Sequence, residues 1–581
     1  MKRSPELLRL ADSVLLPGFE GRTPPDWLRR RLGEGLSGVV IFSRNVGTPS
    51  ELAELTAALR AERPQAVIGI DEEAGDVTRL EAHTGSSRPG NYALGVVDDV
   101  TLTERIAHDV GVDLAAVGIN VNFAPAADVN SNPRNPVIGL RSFGADPDLV
   151  ARHTAAWVRG LQAAGVAACA KHFPGHGDTA VDSHHGLPSV TASARQLHDV
   201  ELRPFRAAVA EGVRMIMTGH LLVTAYDPEL PATLSRRILT GLLRNEMGFD
   251  GVTVTDAMEM AAIVERYGIG GGSVRAVAAG ADLICVGGEN ADDAVVVTIR
   301  EAIADAVAGG ILPEERLVEA ARRVGALTAW TSAFSTPGTA SPADGRGVAL
   351  LTVGGDGNGA AVDGYGRLDA AASVSANGGP DGVTRDGVTR DGASRGGVAP
   401  DGGDHGPAVH DGTANDGGAS DGHVPVGLAA ARRAIRIAGT DPDGVLPLAS
   451  APHVVELAPQ MNLAIDKHMP WGVGEPLGKL LPGTTVTRVG EAEARTVLED
   501  VLLGAAADRP LVVVVRDAHR HAWQTDALVR LLDARPDAVV VEMGLPGRTD
   551  LGAVHIATHG AARVCGQAAA EVLTGLLTVA P

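Results

Sequence analysis

The stretch AACAKHFPGHGDTAVDSHHGLP, residues 167–188, begins as a strand and ends as a loop crowded with ionisable groups. AACAKHF is apolar up to Lys171 and His172, the pattern of a parallel strand covered on both faces whose C-terminal end turns polar. Seven other runs share this texture: SVLLPGF (13–19), GVVIF (38–42), AVIGID (66–71), NVNFAPAAD (120–128), MIMTGH (215–220), VTVTDAM (252–258) and LICVGG (283–288). Between them lie helical segments, clearest in SARQLHDVELRPFRAAVAEG (193–212). Eight strand–helix units predict an α/β fold, a (β/α)8 TIM-like barrel, with an open doubly wound sheet as the rival. Five runs end in ionisable groups: Asp71, Asp128, Lys171 with His172, His220 and Asp256. In a barrel the C-terminal strand ends converge on one face, where active sites form.

Residues 1–334 are read as this barrel. The texture then changes. Residues 335–425 are rich in Gly, Asp, Pro and Ser and carry the near-repeat DGVTRDGVTRDGASRGGVAPDGG (381–403), too little apolar surface to offset chain ordering. This segment is expected to be a flexible linker, with a short strand VALLTV (348–353) inside it; a calcium-binding Asp/Gly array is disfavoured by irregular spacing. Residues 426–581, with strands LVVVVRD (511–517) and AVVVEMG (538–544) and a closing helix ARVCGQAAAEVLTGLL (562–577), predict a smaller αβα sandwich.

Composition bounds the partners. Fifty Lys+Arg against 71 Asp+Glu in 581 residues give a net charge of −21, which opposes binding to nucleic acid or anionic membranes. Cys169, Cys285 and Cys565 are odd in number and far apart, which fits core thiols in a reducing compartment better than a disulfide framework or zinc cluster. Glu6, Arg9 and Asp12 interrupt the N-terminal MKRSPELLRLADSVLLPGFEG, and no run approaches the roughly 18–20 apolar residues that span a bilayer. A cytoplasmic location is therefore expected.

The loop after the fifth strand carries the densest chemistry. Gly and Pro there permit unusual backbone angles around four His, two Asp and one Lys in residues 170–188. Asp182-Ser183-His184 sets a carboxylate two residues before an imidazole, where it can fix the tautomer and leave the other nitrogen for proton transfer. A zinc site from His176, Asp178, His184 and His185 is the competing reading. In GVTVTDAMEMAAI (251–263), Asp256 stands between a strand and a helical stretch; taken alone it reads as an N-cap, and beside the His-rich loop as a nucleophile.

Together the segments KHFPGHGDT, DSH and TDAM resemble glycoside hydrolase family 3, and within it the β-N-acetylglucosaminidase branch that includes peptidoglycan-recycling enzymes. RRAIRIAGTDPDGVLPL (432–448) and ATHGAARVCGQAAAEVLTG (557–575) extend the resemblance to that family's αβα sandwich. The resemblance implies a retaining, exo-acting β-N-acetylglucosaminidase with Asp256 as nucleophile, His184 as general acid/base and Asp182 as its partner. It implies further that Asp71, Arg141, Lys171 and His172 hold the sugar hydroxyls, with Asp128 a further member, and that no metal or organic cofactor is needed. With aromatics at 3%, polar contacts are expected to carry sugar recognition. This chain departs from the family's DQEGGRV with DEEAGDV (71–77): Ala74 stands for a Gly and Asp76 for an Arg, while Asp71 and Arg79 remain. Two other functions stay open on the sequence, a β-N-acetylglucosaminide phosphorylase and a non-catalytic sugar-binding protein.

Overall fold

The computed structural model describes residues 4–181, 186–288, 292–334, 424–439 and 442–579, apart from 502, 503, 505 and 507. The expected linker and its strand 348–353 lie outside the described residues, except for the two positions 424 and 425.

All eight predicted strands form: β1 Leu15–Pro17, β2 Gly38–Ile41, β3 Val67–Ile70, β4 Val121–Asn122, β5 Ala167–Phe173, β6 Met215–Thr218, β7 Val252–Thr255 and β8 Ile284–Val286. Strands β2 to β7 pair in sequence order, all parallel; Val254 bridges to Leu283 beside β8, and β8 pairs with β1. The Ser37 amide donates to the Asp12 carbonyl and its hydroxyl to that of Leu15, drawing β1 and β2 together to complete a TIM-like barrel. Helices such as Pro49–Glu62, Pro147–Ala163 and Asp293–Ala308 return the chain between or after strands.

Strand parity sorts side chains between two cores. Val40, Val67, Val121, Cys169, Met217 and Val254 fill the barrel interior, whereas Val39, Ile41, Ile68, Ile70 and Ile216 face the helices. The interior is crowded enough that a Cβ on Gly69 would stand 2.8 Å from the Phe123 ring. Val324 and Leu327 of the long helix Glu314–Phe334 pack into this interior core, and Arg214, just before β6, lies over the Trp330 ring. That helix thus closes the N-terminal mouth and leaves the C-terminal mouth for function.

The second lobe has a six-stranded sheet of β9 Arg436–Gly439, β10 His453–Leu457, β11 Thr485–Val489, β12 Leu511–Val515, β13 Val539–Glu542 and β14 Val554–Ala557, ordered β9-β14-β13-β12-β10-β11. Only β9 runs antiparallel, and helices cover both faces over separate apolar clusters, the αβα sandwich expected. Barrel and sandwich form one compact unit. Asp76 of the barrel and Arg516 at the end of β12 make a 2.6 Å ion pair in which both side chains are at most 5% exposed. Asp76 is one of the two family departures, and this pair shows where its charge is answered. The other, Ala74, has φ +62°, a left-handed angle at which glycine is the usual residue. No helix among the described residues is long and apolar enough to cross a membrane.

Candidate active site

Five of the predicted site residues open on one cavity of about 520 Å³ at the C-terminal mouth of the barrel: Asp71, Arg141, Lys171, His172 and Asp256. Parity explains three of them. Asp71 continues the interior face of Val67 and Gly69, Lys171 that of Ala167 and Cys169, and Asp256 that of Val252 and Val254. Asp182 and His184 lie outside the described residues, as does His185 of the zinc alternative. Among the described residues no group of three or more His, Cys, Asp or Glu is placed to hold a metal.

The floor of the cavity is a charge network. Lys171 Nζ donates to Asp71 Oδ1 at 2.6 Å and pairs with Glu73 Oε1 at 2.7 Å. Arg141 Nε and Nη2 grip both oxygens of Glu73 at 2.9 and 2.8 Å, a bidentate fork. Burial would raise the Glu73 carboxyl, but Arg141 and Lys171 outweigh it and hold it well below the usual range. The same attractions keep Arg141 and Lys171 charged despite their burial. Glu73 was not singled out in the sequence; it sits two residues beyond Asp71, on the same face, and that spacing was the available signal.

Asp128 ends the fourth run but does not line the cavity. It is fully buried and turns its carboxylate to the amides of His172 (3.1 Å) and His176 (2.7 Å) and to His172 Nδ1 at 2.8 Å. The bond to Nδ1 places the His172 proton there and directs Nε2 to the cavity, 3.4 Å from Arg141 Nη2. Burial, reinforced by neighbouring His172, pushes His176 down to about 4, so it stays neutral at physiological pH.

Asp256 is not a helix cap: the next helix, Ala261–Tyr267, begins five residues later with Met260 at its N-cap. The Asp256 amide donates to the Thr218 carbonyl of β6, and its Oδ1 accepts the Ala257 amide at 2.8 Å. His220 supports this turn from beneath, with Nε2 donating to the Ala257 carbonyl at 3.0 Å and Nδ1 2.8 Å from Thr233 Oγ1. Glu259 also lines the cavity and accepts from the Gly287 amide at 2.8 Å. Arg79 lines it too and donates to the carbonyl of Ala464, a residue of the second lobe.

An aspartate at a strand mouth, on one cavity with a largely buried row of cations and carboxylates, suits a polyhydroxylated ligand whose reaction develops positive charge. Residues 29–327 match the family model described as the glycosyl hydrolase family 3 N terminal domain. The β-hexosaminidase A of Pseudoalteromonas piscicida is 39% identical over 43% of this chain and 45% of its own length, so the chain spans less than half of that relative. A β-hexosaminidase of Alkalilimnicola ehrlichii is 36% identical over 43% of this chain and 73% of its own. The structure of a glycoside hydrolase family 3 β-N-acetylglucosaminidase from Paenibacillus sp. str. FPU-7 superposes with a TM-score of 0.76 at 31% identity, covering 99% of this chain and 97% of that one. These matches make the chain a glycoside hydrolase. The chain belongs to glycosyl hydrolase family 3.

Proposed function

We propose that this glycoside hydrolase is an exo-acting, retaining β-N-acetylglucosaminidase that releases terminal β-linked N-acetylglucosamine. The observation that carries the reading is Asp256 at the end of β7, opening on the same cavity as the half-buried Asp71 and the buried Glu73, Arg141, Lys171 and His172 network. The names of the relatives support the substrate class.

In the first step an Asp256 oxygen attacks the anomeric carbon. The bond to the leaving oxygen breaks, and protonated His184, oriented by Asp182, delivers its proton to that oxygen. In the second step neutral His184 takes a proton from water, which attacks the same carbon and releases Asp256. Two displacements give net retention. Asp71, Lys171, Arg141 and His172 hold the sugar hydroxyls, already oriented by their mutual bonds, so little ordering remains at the transition state. The 2-acetamido group is recognised and is not the nucleophile. A cytoplasmic location belongs to the same proposal and is supported by three buried, unpaired cysteines.

Proton NMR of the first-formed product from an aryl β-N-acetylglucosaminide tests the reading. The β-anomer should appear first, with or without phosphate. An initial α-anomer, or a hexosamine 1-phosphate formed when phosphate is present, would overturn it.

A further inference from the structure

The second lobe reaches into the barrel's cavity. Leu463 and Ala464, on the segment after β10, line the same cavity as Asp71 and Asp256. This segment is fastened to the barrel at several independent points. Arg79 Nη1 donates to the Ala464 carbonyl at 3.1 Å, and Asn462 Nδ2 to the Pro136 carbonyl at 3.4 Å. Ile465 and Met469 bury against Val77, and the Ser43 hydroxyl bonds Asp466. A segment held on both sides of Leu463 in this way presents that side chain to the cavity from a fastened backbone.

The cavity then has two chemically distinct zones. Its floor is charged and closed: Lys171 and Glu73 are 3% and 2% exposed. Its rim is open and carries apolar side chains beside the charged Arg79 and Glu265: Leu463 is 46% exposed and Val264, from the helix after Asp256, 37%. In an exo-acting enzyme the hydroxyls of the terminal sugar go to the fixed charges, which leaves the departing group at the rim. Exposed leucine and valine there gain free energy only when an apolar surface covers them.

We propose that Leu463, delivered by the second lobe, is a specificity-determining residue that contacts the leaving group and favours leaving groups with an apolar chain or face. The proposal rests on the glycosidase reading above and adds which leaving groups the site selects. Ala464 acts alongside it as a positioning residue, because its carbonyl orients Arg79.

A homologous series of alkyl β-N-acetylglucosaminides, methyl to octyl, tests this. Wild-type kcat/KM should rise with chain length. In Leu463→Ala the octyl-to-methyl ratio of kcat/KM should fall about fivefold, the value expected for losing a partly covered leucine, and Leu463→Met should restore it. The inhibition constant of free N-acetylglucosamine, which has no leaving group, should shift by a smaller factor than the octyl KM. A wild-type ratio near one, or equal loss on octyl and methyl substrates in Leu463→Ala, would overturn the role of Leu463 while leaving the glycosidase reading intact. Absence of turnover on every member would overturn the glycosidase reading and this inference with it.

Discussion

Asp71 and Glu73 share the cavity because they are two residues apart on an extended chain, and Glu72 between them turns away. Glu72 instead accepts the Thr78 hydroxyl and the amides of Arg79 and Leu80, shaping the loop that carries Arg79. Strand-end position made Asp71, Lys171 and Asp256 legible in the sequence. It did not separate Asp128 and His220, which turn away to hold His172 and the Ala257 turn, from residues that line the cavity; that distinction depends on which neighbour each side chain meets across strands. Arg141 came only from family resemblance, since nothing local ties GLRSFG to Glu73, 68 residues earlier. Replacing Asp256 with Asn is expected to lower kcat by about four orders of magnitude or more with the fold intact, measured by steady-state kinetics and circular dichroism. Glu73→Gln leaves Arg141 without its counterion and Lys171 with only Asp71. It should cost about 3 kcal/mol in urea unfolding at pH 7 and lower kcat/KM about a hundredfold, with unchanged unfolding midpoints contradicting the network. Because the Glu73 carboxyl is held below its ordinary value, its contribution is present above pH 4.5 and lost as pH falls further.

At the scale of elements, the eight barrel strands could be read because each is a short apolar run covered on both faces. Their bounds were less legible. NVNFAPAAD (120–128) contributes only Val121–Asn122 to regular pairing, because Pro125 has no amide to donate and the chain swings out beyond it. The swing is still tied to β5, with the Lys171 amide donating to Pro125 and the Ala127 amide to Lys171, which brings Asp128 beneath His172. In the second lobe, β13 ends in Glu542, buried among valines and pushed up to about 8, by burial first and Asp517 second. Its folded value lies above its ordinary 4.5, so its stabilisation is complete below pH 4.5 and disappears as pH rises through 8. Comparing urea unfolding at pH 5 and pH 9, wild type should lose on the order of 3 kcal/mol more than Glu542→Gln. Equal losses in the two proteins would show that Glu542 is not held protonated.

At the scale of the whole molecule, sequence texture divided barrel from sandwich but gave no sign of how the lobes are joined. Asp76 looked like a loss of the family's arginine; in the structure its partner is Arg516, 440 residues away, and no local pattern could pair them. Arg516→Met would strand a buried carboxylate and should destabilise the chain by about 3–5 kcal/mol, with Asp76→Leu in the same chain recovering most of it. A double-mutant cycle followed by denaturant unfolding measures this, and additive losses would deny the coupling. Every functional claim depends on one covalent event between Asp256 and the sugar. The most direct measurement is intact-protein and peptide mass spectrometry after incubation with a slow, fluorinated β-N-acetylglucosaminide. One N-acetylhexosaminyl adduct on the peptide containing Asp256, absent in Asp256→Asn, is the predicted result. Turnover of substrate with no adduct there, or with the label on another residue, would contradict the account.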